Sequence, residues 1–401
     1  MVRSRSPFPR PLARRRPRAA AAGLAGLVLL AAGCTGGGGD SADRGNATDS
    51  ATPGPSGEAS RSPGASAAPA EGSVEVVETV ATGLKSPWGL APLPDGDLLV
   101  SSRDEGTVSR VDTETGETTE LGSVPGVEPG GEGGLLGIAL SPDFAEDRHV
   151  YAYFTSASDN RIVRMRYDAD REPGEQLDAP STVLRGIPKG VVHNGGRIAF
   201  GPDRMLYAGT GDSGDQSLSQ DRESLGGKIL RMTPDGEPPG RGNPEADSVV
   251  YSWGHRNVQG LAWDADKRLW ASEFGQNTWD ELNLIRPGGN YGWPEAEGRA
   301  GEDGFTDPVA QWKPAEASPS GIAVVNGSVW LAALRGERLW RVPLKGEETV
   351  ADPQAFLESE YGRLRTVVPD GDGGLWLVTS ETDSRGTPGE DDDRILRLEV
   401  S

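Results

Sequence analysis

One loose unit recurs along most of this chain and limits what it can fold into. Each copy opens on an apolar run, with Gly at its start in all but the last, then turns and continues into a second apolar run. The copies read PWGLAPLPDGDLLVSS, GLLGIALSPDFAEDRHVYAYF, GGRIAFGPDRMLYAGTG, QGLAWDADKRLWASEFG, SGIAVVNGSVWLAAL and LRTVVPDGDGGLWLVTS. A further short run follows each of them, namely TVSRV, RIVRM, KILRM, ELNLI, RLWRV and RILRL. The period is roughly 45–65 residues, near the upper end for propeller blades. Apolar runs around Asp-Gly and Asn-Gly turns mark β-hairpins. One such unit cannot bury both of its faces, so it must stack on its neighbours. These features predict an all-β fold, a six-bladed β-propeller over residues 74–401. Val74–Val80 is an extra strand before the first full unit and Arg394–Val400 is the last. The two are expected to share a blade and close the ring. Trp270, Trp330 and Trp376 are expected in the core between blades.

Composition agrees. Among 401 residues, 57 Gly and 31 Pro argue against a helical bundle, because both are poor in helix interiors. The net charge of −21 repels nucleic acid and anionic lipid, which excludes them as partners. A small anion remains possible where a few arginines converge.

The N-terminus reads as an address. Residues 1–18 are basic and 19–32 are an apolar run, too short for a membrane span and the right size for a signal-peptide core. The run ends at Ala31-Ala32-Gly33-Cys34, and Cys34 is the only cysteine. This resembles a bacterial lipobox, which implies cleavage after residue 33 and lipidation of Cys34. The protein is then extracytoplasmic, and lipid alone holds it to the cell membrane. Residues 34–73 carry almost nothing to bury and read as a flexible stalk.

The chain has three histidines. His149 lies just before VYAYF and reads as structural. His193 and His255 both precede the opening strand of a blade, in loops expected to surround the central channel. Here the motifs HNGGRIAFGPD, LGGKILRMTPDGEPP, YSWGHRNVQGLAW and DELNLIRPGGNYGWP, in this order, resemble the quinoprotein sugar dehydrogenases. These are the soluble glucose and aldose sugar dehydrogenases that use pyrroloquinoline quinone (PQQ). The likeness spans residues 75–400. It implies oxidation of an aldose at C1 to a lactone, with electrons leaving for an external acceptor that the sequence does not name. His193 matches the family's general base, a task that suits an imidazole. Arg256 and Asn257 match the pair beside the quinone oxygens, where an arginine stabilises developing negative charge. Arg335 falls where the family has a cation against the cofactor. Arg363 and Arg365 match its Arg-x-Arg pair, and on a strand both face one side. Gln220 and Glu132 match positions that contact the sugar.

The resemblance also implies calcium (Ca²⁺). Gly275 and Gln276 match two main-chain carbonyl ligands of a catalytic ion. Glu281 and Tyr291 match a side-chain and a carbonyl ligand of a structural ion. Backbone oxygens are suitable ligands for this hard cation. The acids at 370–372 and 391–393 lack an EF-hand's twelfth-position Glu and read as turns. Several positions depart from the family: Val192 stands where the glucose enzymes often have Asp, Glu132 where they have Gln, and Gln276 where Pro is usual. The first two lie on the sugar side and leave glucose specificity open. Two other functions stay open on the sequence: a non-catalytic surface propeller that binds a protein or glycan, and a calcium-dependent lactone hydrolase.

Overall fold

The structure, a computed structural model, describes residues 67–401. The signal-peptide segment, Cys34 and most of the expected stalk lie outside them. The described chain forms six antiparallel sheets, five with four strands and one with five. The innermost strands are Pro87–Pro92, Leu135–Leu140, Ile198–Phe200, Val258–Trp263, Pro319–Val325 and Leu364–Pro369. Each packs on the next, and the last returns to the first, so the sheets form a closed ring around a channel. The six repeats correspond to the six blades. Each repeat supplies an innermost and a second strand, and the later run supplies the third.

Closure follows the expected route. Val74–Ala81 pairs antiparallel with Ile395–Val400, from Val74 opposite Val400 to Ala81 opposite Ile395, with two register shifts. The first strand of the fold thus becomes the outer strand of the last blade, and no third-strand edge is left open there.

Gly opens five of the six repeats, and the cause is steric. Innermost strands converge on the axis, and at most of these glycines the backbone of the neighbouring blade leaves no room for a side chain. A Cβ on Gly137 would sit 2.3 Å from the carbonyl oxygen of Gly196, and one on Gly321 2.9 Å from Thr366 Cα. Further out, the blades diverge and large side chains fill the gap. Trp270 is buried between blades four and five, Trp330 between five and six, and Trp376 between six and one. At the outer ends, Asn326-Gly327 closes a two-residue hairpin with both φ angles positive, the type I′ geometry that this dipeptide favours.

The end of the expected stalk is not free. The Ala68 N–H donates to Leu344 O at 3.0 Å, and the Arg341 guanidinium donates to Pro69 O at 2.9 Å and Ala70 O at 3.4 Å. Arg341 is fully buried on blade five and pairs with no carboxylate among the described residues, so it takes these carbonyls. The packed domain therefore starts several residues before 74.

Replacing Gly137 by Ala tests the convergence. The added methyl should lower stability by about 2 kcal/mol or more, read as a fall in the thermal midpoint. An unchanged midpoint would mean that the inner strands can part.

Candidate active site

In this meander, two kinds of loop rise to the same face: those joining the second and third strands of a blade, and those joining one blade to the next. Together they line a cavity of about 380 Å³ at the mouth of the channel. Of the residues expected at a site, it brings together Glu132, His193, Arg256, Asn257, Gly275 and Gln276, with Arg335, Arg363 and Arg365 on the opposite wall.

His193 sits in the loop before the third blade with φ of 56°. Its N–H donates to Glu132 Oε2 at 2.8 Å, and its carbonyl accepts from Ser213 N at 3.1 Å. The ring Nδ1 lies 2.7 Å from Asp212 Oδ1. Asp212 is fully buried, just past the second strand of the same blade. It also accepts from the Gly214 amide at 2.8 Å and from Trp293 Nε1 at 2.9 Å. Burial alone would raise its pKa, but these donors and the imidazole outweigh burial and hold it below the ordinary carboxylate value. An ionised Asp212 only accepts, so the proton belongs on Nδ1. Nε2 then keeps its lone pair, with no protein partner among the described residues.

Cations face this base. Arg256 donates its backbone N–H to Glu273 Oε2 at 2.8 Å, and Nη1 donates to Phe274 O at 3.3 Å. Its guanidinium lies 5.4 Å from the Trp293 ring, and its Nε is buried without a partner. Asn257 Oδ1 accepts from the Gly195 amide at 2.9 Å and so braces the His193 loop. Arg363 and Arg365 face one side, as their spacing requires, and both donate to Asp383 Oδ2 at 2.9 Å. Burial pushes the Arg365 pKa down to about 10, partly offset by Asp383. Burial acts upward on Asp383, but the two arginines override it and hold its pKa at about 2. Arg335 is exposed on the cavity wall and pairs with no acid among the described residues. Arg103 and Arg385 complete the lining. The arginines outnumber the lining carboxylates Glu132, Asp280 and Asp383, so the cavity favours an anion bearing several negative groups.

The two sugar-side expectations fall differently. Glu132 lines the cavity, but both oxygens are in use: one holds the His193 N–H, the other accepts from Arg385 Nη2 at 2.7 Å. Gln220 ends a one-turn helix, Ser217–Gln220, outside the cavity lining. Its amide is spent on Asn290 Oδ1 at 3.0 Å and Trp293 O at 2.8 Å.

The metal expectations also separate. The Gly275 and Gln276 N–H groups donate to Asp280 Oδ1 at 2.9 Å and Glu297 Oε1 at 2.7 Å. Their carbonyls accept no hydrogen bond among the described residues and lie at the cavity wall. Glu297 Oε1 also accepts from the amides of Asn277, Thr278 and Trp279, which fixes this loop. Glu281 stands directly opposite Glu273 on the neighbouring strand. Burial, with the Glu273 charge added, raises the Glu281 pKa well above its ordinary value. Tyr291 is buried close by, stacked on His255 at 4.6 Å, and a void of about 10 Å³ separates these residues. Among the described residues, no three His, Cys, Asp or Glu side chains converge as a metal site.

Five organising acids escaped the sequence reading: Asp212, Glu273, Asp280, Glu297 and Asp383. Their position was the available signal. Asp212, Glu273 and Asp383 all end or closely follow the second strand of a blade, where side chains turn toward the cavity face.

A propeller whose channel mouth holds a His–Asp pair in a cavity where arginines outnumber carboxylates belongs to a class built to bind a polyanionic cofactor beside a base. The family model for Glucose / Sorbosone dehydrogenase matches residues 84–388, and the chain belongs to that family. It is 75% identical to a solved structure, the PQQ-bound form of an aldose sugar dehydrogenase from Streptomyces coelicolor. That match has a TM-score of 0.83 and covers 84% of this chain and 100% of the other. It is 30% identical to the aldose sugar dehydrogenase YliI of Escherichia coli, over 79% of this chain and 92% of the relative. It is 32% identical to quinoprotein glucose dehydrogenase B of Acinetobacter calcoaceticus, over 57% of this chain and 54% of the relative.

Asp383 offers a pH test. Its folded pKa of about 2 lies below the ordinary 3.8, so its contribution is present above pH 4 and fades as pH falls through 2. Asp383→Asn should destabilise by about 2 kcal/mol or more at pH 7, with the gap to the parent closing toward pH 2. Urea melts across that range measure it, and a gap independent of pH would contradict the assignment.

Proposed function

We propose that this protein is a PQQ- and calcium-dependent aldose dehydrogenase that oxidises the C1 hydroxyl of a sugar to the lactone. The observation that carries the reading is the His193–Asp212 pair opening onto an arginine-rich cavity. The residues present fit the cofactor's three carboxylates: among the described residues Arg256 keeps a buried Nε without a partner and Arg335 pairs with no acid, while Arg363 and Arg365 are already aligned. When bound, PQQ supplies the hydride acceptor at its quinone carbon.

The chain's own residues do the rest. His193 Nε2 takes the proton from the sugar's anomeric hydroxyl. Asp212 holds the tautomer and stabilises the imidazolium that results. Arg256 and Asn257 would hold the quinone side of the cofactor, and the Arg256 charge would offset negative charge developing there. The Gly275 and Gln276 carbonyls would hold the catalytic calcium, and Glu281 with the Tyr291 carbonyl the structural one. Glu132 positions the His193 backbone at the sugar side. Electrons pass to an external acceptor. In this reading residues 1–33 direct export and lipidated Cys34 anchors the propeller outside the cytoplasm.

Reconstitution with PQQ and Ca²⁺, followed by aldoses and a dye acceptor, tests the reading. Tight stoichiometric binding with dye reduction is the expected result. Absence of binding at micromolar PQQ would overturn it. Asp212→Asn should lower kcat by about 10²–10⁴-fold with PQQ binding intact. His193→Ala should abolish turnover and also spare PQQ binding. Replacing Arg363 and Arg365 together by Ala should weaken PQQ binding itself.

A further inference from the structure

The channel continues beyond the cofactor cavity. Trp88, Gln259 and Arg365 line that cavity's inner end. On the far side of Trp88 lies a second cavity of about 280 Å³, to which every innermost strand contributes. Leu90, Ile138, Phe200, Leu261, Ile322 and Val367 give it an apolar wall. Arg197 is the one charged residue in its lining.

Arg197 is an unusual residue to find there. It is 7% exposed, and its guanidinium lies 4.3 Å from the Trp88 ring. Nε donates to Gln259 O at 2.8 Å and Nη2 to Thr366 Oγ1 at 2.9 Å. Nη1 has no hydrogen-bond partner among the described residues, and no carboxylate pairs with the group. The charge that reaches it is the like charge of Arg365, which adds to burial in depressing its pKa. A buried cation without a counterion is unfavourable by several kcal/mol. Hydrogen bonds to a carbonyl and a hydroxyl satisfy two donors but leave the charge uncompensated.

We propose that this inner cavity is a second binding site, for a monoanion with a compact apolar body such as a medium-chain carboxylate. The carboxylate would accept from Arg197 Nη1, and the apolar body would lie along the innermost strands. The volume is close to the small end of ordinary ligand sites, about 300–1,000 Å³. A single cation in an apolar wall matches one negative group on an apolar body. It does not match a sugar, whose hydroxyls would find few partners, or a tricarboxylate. The inference is independent of the cofactor reading.

Calorimetry with octanoate and octylamine tests it, on the protein saturated with PQQ and Ca²⁺ so that the outer cavity is filled. Octanoate should bind with a Kd of about 1 mM or tighter, and octylamine at least about tenfold more weakly. Arg197→Met should weaken octanoate by about tenfold or more. If that variant does not fold, Ala199→Leu keeps the cation and fills the cavity, and it should weaken octanoate too. Equal affinity for both probes, no binding of octanoate, or full octanoate affinity in the variants would each overturn the proposal.

Discussion

The convergence of six strands on one axis governs everything else in this molecule. Where neighbouring innermost strands meet, their backbones leave no room for a side chain at most of the openings, so glycine stands there. Away from the axis the gap widens, and Trp, Leu and Val fill it. The same convergence brings loops from every blade to one mouth. His193 comes from the junction of blades two and three, Arg256 from that of three and four, and Arg363 from that of five and six. A site of this kind depends on ring closure, because a sprung ring would separate groups that are hundreds of residues apart in sequence. The pairing of Val74–Ala81 with Ile395–Val400 is therefore a condition for the site as well as for stability.

Within the mouth, acids do the organising and basic side chains line the cavity. Asp212 sets the imidazole, Asp383 holds two arginines in register, and Glu273 joins the His255 ring to the Arg256 backbone. Glu297 gathers four amides of the 276–279 loop on one oxygen. Buried carboxylates that hold backbone and cations in this way need little rearrangement when a ligand arrives.

The fold was legible because its signals are local and repeated: a hairpin period, a Gly at five of six openings, and a strand left over at each end. The family motifs led to His193 and to the arginines that the fold brings to the mouth. The organising acids were not, since each acts through a partner distant in sequence, as Asp212 does toward Trp293. Gln220 was read by matching across a loop, and the fold turns its amide toward Asn290 and Trp293 instead. The stalk boundary was misjudged for a related reason. Composition marks residues 67–73 as unable to form a core, yet buried Arg341 needs carbonyls, and this segment supplies them.

The arrangement of Arg363, Arg365 and Asp383 carries a thermodynamic consequence. Three charged groups are confined together with one excess positive charge, and Arg256 and Arg335 add to it. The empty protein therefore holds electrostatic repulsion that a polyanion relieves. Cofactor supply and folded lifetime become linked quantities, since whatever binds the native state alone shifts the folding equilibrium by mass action. A cell short of cofactor would keep this protein in its less durable form, and cofactor abundance would set how long each molecule survives as well as how many of them work.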